Sequence, residues 1–307
     1  MAPADNNRLY FQVAFAAAVW GGAYPFTKSL VAELSPLSII TFRALVGTLL
    51  LVFLSGSRLK PADFKLSFLW KALVLSVLGV SLQQYLQAYA LKFTQASHAG
   101  WLIASTPILV AGLMAALGEK IGPYKIAAFL AGFAGTMVVV FSKAGAAAFS
   151  LPSTRGDLVF MLSCAAWAFY VLFTKKWFTA WTQAKVTTLT MLVALASVLP
   201  AWFLSGGPAE FSGLSGRGWA CLAYLGILSS GLAYLFWNNS VEGLGAVKTS
   251  YFIYLEPFAT LLSAYLLLGE TASPVVFAGG LLILAGVYLL GRKEGKLVSL
   301  KGAAGHA

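Results

Sequence analysis

The sequence predicts an all-α integral membrane protein of ten transmembrane helices, arranged as two inverted five-helix repeats. Three observations carry this: the composition, the spacing of the apolar segments, and a match between the two halves of the chain. The 307 residues are 59% hydrophobic and only 10% charged, with a mean hydropathy of +0.82. A soluble domain carries about 25% charged residues, so the composition alone points to the bilayer.

Apolar segments near the ~20 residues needed to span a bilayer recur along the chain at 11–31, 36–56, 68–90, 95–117, 122–142, 155–177, 183–204, 217–240, 245–267 and 272–291. The joints are short and leave no room for a soluble domain. The first segment is expected to remain in the protein rather than be cleaved as a signal peptide, because the second half of the chain repeats it.

The net charge of +11 would suggest nucleic acid in a soluble protein, but its distribution argues otherwise. Lys and Arg favour the N-terminus, the 2–3, 4–5, 6–7 and 8–9 joints and the C-terminus by about three to one over the opposite joints. By the positive-inside rule both termini are expected in the cytoplasm. The basic tail at 293–307, with "GRKEGKLVSLKG" at 291–302, then serves most simply as a topology anchor, and no nucleic-acid partner is expected. Cys164 and Cys221 fall inside apolar segments, His306 lies near the end of the chain, and no metal spacing or disulfide framework follows. No Ser/His/Asp set, Cys/His pair, P-loop or dinucleotide fingerprint is present, so neither an enzyme nor a cofactor is expected.

The halves match in order. "WGGAYPFTK" (20–28) aligns with "WAFYVLFTK" (167–175), pairing Trp20 with Trp167 and Lys28 with Lys175. "ASHAGWLIASTP" (96–107) aligns with "AVKTSYFIYLEP" (246–257), setting Trp101 opposite Tyr251 and Pro107 opposite Pro257. Glu119/Glu270, Pro123/Pro274 and Gly135/Gly286 continue the series at a nearly constant offset. The copies are placed at 8–143 and 153–292. Five helices is an odd number, so the second copy must run opposite to the first, an arrangement found in secondary carriers.

Several polar and aromatic residues within the segments need an explanation. Segment 3 carries "LQQYLQAYALKF" (82–93), in which Gln84, Gln87, Tyr85 and Tyr89 cannot all face lipid unsatisfied. Tyr85 and Tyr89 share one helix face. Segment 8 offers Asn238 and Asn239. Glu256 lies about ten residues into segment 9, near mid-bilayer, where a charge costs about 2.5–3.5 kcal/mol. It is either a substrate-amine or proton site or a structural partner, for example of Arg43. Pro107 and Pro257 lack an N–H and are expected to bend their helices at mid-membrane. Trp101, Trp167 and Tyr251 sit deeper than interfacial belt residues and are cavity candidates. Lys28 and Lys175 either snorkel to the headgroups or share a gating role. Segments 5 and 10, "AGFAGTMVVV" and "AGGLLILAGV", are rich in small residues that permit close helix approach.

The duplicated five-helix pattern resembles the EamA-type carriers of the drug/metabolite transporter superfamily. The resemblance rests on a Trp and a Lys on the first helix of each copy, a Pro-containing fourth helix closing in Gly-Glu, and a Gly-rich fifth helix. It covers about residues 8–292. It implies a bacterial inner-membrane, multi-pass exporter with a central cavity lined by segments 1–4 and 6–9, as a monomer or a homodimer. The sequence is similar to the family's amino-acid exporters, those of aromatic amino acids included.

The expected function is therefore export of amino acids and related small metabolites by alternating access, with aromatic or large hydrophobic amino acids favoured. A drug or hydrophobic-cation efflux carrier is the alternative. Trp101, Trp167, Tyr251, Gln84, Tyr85, Tyr89, Asn238 and Glu256 are the expected substrate-binding residues. Pro107, Pro257, Lys28 and Lys175 are the expected gating residues. The expected partners are a small-molecule substrate and the lipid bilayer, and coupling to protons is left open.

Overall fold

The computed structural model describes residues 6–54, 59–117, 123–142, 152–244, 249, 251–286 and 288–289. The tail 293–307, the join at 143–151, Glu119, and the side chains of Lys175 and Tyr251 lie outside the described residues. What is described is helical, with no strand among the described residues. In chain order the long helices are α1 (Asn6–Leu30), α2 (Pro36–Leu54), α3 (Leu66–Ala90), α4 in two pieces (Ala96–Ile103 and Thr106–Ala116) and α5 (Pro123–Val140). They continue with α6 (Pro152–Trp177), α7 (Gln183–Leu204), α8 (Gly216–Leu244), α9 (a tight Tyr251–Leu255 turn leading into Glu256–Leu268) and α10 (Pro274–Gly286). Among the described residues, five stretches, within α2, α3, α6, α7 and α8, are long and apolar enough to cross a membrane.

Local chemistry sets the helix ends. Ser35 accepts from Ser38 N–H at 3.2 Å ahead of Pro36, Thr182 caps α7 through Lys185 N–H at 3.3 Å, and Ser215 caps α8 through Gly218 N–H at 3.0 Å. Gly269, at φ 65°, closes α9 in the left-handed conformation that glycine adopts without a Cβ penalty. Both α3 and α8 widen into π-helical segments, Val77–Ser81 and Tyr224–Leu232. Within them an N–H reaches five residues back, as Leu82 does to Val77 and Ala233 to Leu228.

The packing repeats when each helix is replaced by the one five further on. α1 packs on α8 and α9, and α2 on α8; correspondingly α6 packs on α3 and α4, and α7 on α3. The α2–α7 and α4–α9 contacts map onto themselves. The π segments of α3 and α8 and the breaks in α4 and α9 obey the same exchange. α5 and α10 pack against each other: a Cβ on Gly135 would stand 2.6 Å from Gly279 O, so the small residues allow the two backbones to touch. The largest buried cluster joins Trp101, Phe160, Leu102 and Ile283.

Contacts between joints define two ends of the bundle. At one end the α1–α2 joint meets the α7–α8 joint, where Ser35 N–H donates to Glu210 Oε2 at 2.7 Å and Ser215 N–H to Glu33 Oε2 at 2.9 Å. At the other end the α2–α3 joint meets the start of α7 through the Lys185–Asp63 ion pair at 2.7 Å. There too the start of α1 meets α8 and α9, with Ser240 Oγ donating to Leu9 O at 3.1 Å and Tyr10 stacked on Phe252.

Candidate functional site: a central cavity between the two halves

A cavity of about 780 Å³ lies between the halves, lined by residues of α1–α4 and α6–α9. It reaches the end of the bundle that carries the α6–α7 joint, where Thr179 and Gln183 line it, and it extends inward to Thr27 and Leu91. A volume of this size is typical of small-molecule sites.

The Glu-Pro pair stands where α9 changes from a tight turn to a regular helix. Pro257 occupies the first turn of the second piece, where its missing N–H costs nothing. Glu256, also in that turn, meets the positive end of the helix dipole. The same device operates in α4, where Pro107 opens the piece Thr106–Ala116 after the turn at 104–105. The prolines thus start new helical pieces at the cavity rather than bending continuous helices. Pro107 lines the cavity and Pro257 is buried.

Glu256 lines the cavity and is 5% exposed. Its carboxylate receives one side-chain hydrogen bond, from Tyr24 Oη at 3.5 Å. Arg43 also lines the cavity, but the two do not pair. The Arg43 guanidinium donates to Ser230 Oγ at 3.2 Å and to Ser229 Oγ at 3.3 Å. No ion pair of Arg43 or Glu256 occurs among the described residues. The backbone beneath Glu256 is held to α1 by Thr260, whose hydroxyl donates to both Gly21 O and Glu256 O at 2.8 Å.

The walls are aromatic on two sides. Trp167 stacks on Tyr170 with ring centroids 4.7 Å apart, and Trp20 lies 5.1 Å from both Tyr234 and Trp237. All five line the cavity. Gln84 and Gln87 also line it, and Gln84 Oε1 and Gln87 Nε2 have no protein partner among the described residues.

Other expected site residues lie elsewhere. Tyr85 and Tyr89 are about 40% exposed and stack on each other on the outer face of α3, because helical periodicity turns them away once Gln84 and Gln87 face inward. Asn238 is buried between α7 and α8, where its Oδ1 accepts from Thr187 at 3.4 Å, and it does not line the cavity. Trp101 is fully buried and does not line the cavity. Phe258 of α9 and Phe277 of α10 pack edge-on against it at 5.8 and 5.6 Å. Its face of α4 is turned to those helices.

The end opposite the α6–α7 joint is closed by polar contacts. Lys28 Nζ stands 2.8 Å from Glu270 Oε1 and donates to Thr94 O at 2.5 Å, and Ser97 N–H donates to Glu270 Oε2 at 3.2 Å. Behind them Asp157 accepts from Thr94 Oγ1 and lies 2.8 Å from His98 Nδ1. Lys28 therefore ties α1 to the α3–α4 and α9–α10 joints rather than simply extending to the surface. Sequence reasoning did not single out Trp20, Tyr24, Tyr170 or Tyr234 as cavity residues. The four-residue spacing of Trp20 and Tyr24, which places both on one face of α1, was the available signal.

The EamA-like transporter family matches this chain twice, over residues 8–141 and 154–292. The chain belongs to the EamA-like transporter family. By that membership it is a membrane transporter. An uncharacterized transporter of Archaeoglobus fulgidus is 29% identical over 295 residues, covering 94% of this EamA-like chain and 99% of the relative. The uncharacterized transporter YyaM of Bacillus subtilis is 24% identical, covering 87% and 88%. A probable terminal-alkyne amino-acid exporter of Streptantibioticus cattleyicolor is 28% identical over 219 residues, 70% of each chain. A crystal structure of a protein 20% identical to this chain superposes with a TM-score of 0.63, covering 92% of this chain and 96% of that one, and so shares the fold.

Proposed function

We propose that this transporter exports amino acids across the bacterial inner membrane by alternating access, favouring aromatic or large hydrophobic side chains. The observation that carries the reading is the central cavity, in which the unpaired Glu256, with Tyr24 beside it, shares the space with the Trp167–Tyr170 and Trp20–Tyr234–Trp237 aromatic walls. A buried carboxylate supplies an attachment for an ammonium group, and the rings supply apolar contact for a side chain. The relative named as an amino-acid exporter supports this reading.

In the same reading all ten helices span the bilayer, and residues 8–143 and 153–292 form two five-helix copies of opposite orientation. The exchange of packing partners between α1–α5 and α6–α10 supports this arrangement. Both termini are cytoplasmic, so the closed end at Lys28–Glu270 is external and the cavity faces the cytoplasm. Export then requires the Lys28–Glu270 contacts to open while the α6–α7 end closes. Any coupling to protons would run through Glu256, the buried acid of the cavity.

The second reading, efflux of hydrophobic cations, rests on the same carboxylate. Cells overproducing the carrier and preloaded with labelled phenylalanine or a cationic dye separate the two. Faster phenylalanine efflux than in cells lacking the carrier supports the amino-acid reading. Accelerated dye efflux with unchanged phenylalanine efflux overturns it.

A further inference from the structure

Arg43 is buried in the cavity wall on α2 with no ion-pair partner among the described residues, although a guanidinium away from water is costly unless something complements it. Glu256 lines the same cavity, also with no ion-pair partner among the described residues. Each charge would satisfy the other, yet the fold holds both apart on separate supports.

Helix α1 touches both supports. Trp20 Nε1 donates to Ser229 O at 3.0 Å, the residue whose hydroxyl receives Arg43, and Tyr24 Oη donates to Glu256 at 3.5 Å. Trp20 and Tyr24 are four residues apart on one face, so the anchors of the two poles lie on successive turns of α1, a rise of about 6 Å. The ammonium and carboxylate of an α-amino acid, with a charge-assisted hydrogen bond of about 2.8 Å at each end, bridge roughly 8 Å. A molecule with only one of these charges would leave the opposite pole uncompensated and place a like charge near it.

We propose that the cavity binds α-amino acids as zwitterions, with Arg43, oriented by Ser229 and Ser230, taking the α-carboxylate and Glu256 with Tyr24 taking the α-ammonium. The side chain then lies against the Trp167–Tyr170 wall. This deepens the amino-acid reading and rests on it. Arg43 becomes a specificity-determining residue, and organic cations and organic anions of the same shape are both rejected.

The test is equilibrium binding to the purified full-length carrier by competition against labelled phenylalanine. Phenethylamine lacks the carboxylate and 3-phenylpropionate lacks the ammonium. In the unaltered protein each is expected to compete about 100-fold more weakly than phenylalanine, the scale of one lost hydrogen bond to a charged group. Arg43→Gln is expected to weaken phenylalanine by a similar factor and bring phenethylamine within a few-fold of it. Glu256→Gln is expected to do the same for 3-phenylpropionate. Either singly charged analogue competing as well as phenylalanine in the unaltered protein overturns the proposal while leaving amino-acid export standing. Failure of any amino acid to bind, with a cationic dye bound, overturns the export reading as well. The analogue series in the unaltered protein needs no variant, and Ser230→Ala, which keeps both charges, is expected to weaken phenylalanine more than phenethylamine.

Discussion

Breaking the Lys28–Glu270 pair should move the carrier toward the conformation open at that end. The Lys28 side chain is 27% exposed and that of Glu270 10%, so solvent screens the pair in part. Fully exposed pairs contribute about 0.2–1 kcal/mol, and breaking a buried pair costs about 3–5 kcal/mol. The partial burial, with the further contacts to Thr94 O and Ser97 N–H, places this one at about 1–2 kcal/mol. That is a factor of about 5–30 in the ratio of closed to open states. Leu91, buried beneath the pair at the inner end of the cavity, is a suitable reporter once replaced by cysteine. Cys164 and Cys221, both buried and free, can be changed to alanine to clear the background. A membrane-impermeant maleimide added outside whole cells should label Leu91→Cys about 5–30 times faster in Lys28→Gln or Glu270→Gln. The charge-swapped pair, Lys28→Glu with Glu270→Lys, should recover part of the protection. Labelling rates within twofold of the parent in both single variants would refute the reasoning, because the pair would then not hold that end shut.

Changes at four other positions separate cavity from framework. Gly21→Ala would drive a Cβ into Glu256 O and Ala259, forcing α1 from α9, and should destabilise the protein by about 1–3 kcal/mol; an unshifted melting temperature would contradict that crossing. Trp167→Ala removes the Tyr170 stack and should raise the phenylalanine KM about two- to tenfold while leaving alanine nearly unaffected, read by transport kinetics. Trp101→Ala should cost about 3–5 kcal/mol of stability, whereas Trp101→Phe should transport with unchanged substrate preference; an altered preference would return Trp101 to the binding site. Burial alone would raise the Asp63 carboxyl, but Lys185 and the Lys60 N–H hold it below the usual carboxylate range. A lowered folded-state pKa stabilises above the unfolded value, about 3.9, and that contribution is lost as pH falls through the folded value. The gap in melting temperature between the parent and Asp63→Asn should therefore be full at neutral pH and close on acidification; a gap constant to low pH would contradict it.

Features governed by local chemistry were legible in the sequence. Proline cannot donate in a helix, so Pro107 and Pro257 marked the breaks in α4 and α9 directly. Glu256 was visible as a polar residue deep in an apolar segment. Orientation was harder. Tyr85, Tyr89, Gln84 and Gln87 all lie within two turns, and only the neighbours of α3 decide that the glutamines face inward. Trp101 lies as deep as a cavity residue should, but its rotation about the α4 axis follows from Phe258 and Phe277, which are far away in the chain. The cradle of Arg43 could not be read at all, since Ser229 and Ser230 lie in a π segment of α8 that no propensity announces. Pairing with Arg43 was one of the two readings open for Glu256, and the structure gives each its own hydroxyl partners instead.

The most direct measurement is counterflow in proteoliposomes loaded with unlabelled phenylalanine, with labelled phenylalanine outside at fixed pH. The parent protein should accumulate label transiently, and Glu256→Gln should reduce the initial rate at limiting phenylalanine at least tenfold, the effect of losing a charged hydrogen-bond partner. No transient accumulation by a correctly folded parent, or equal rates in Glu256→Gln, would contradict the assignment of the central cavity to amino-acid transport.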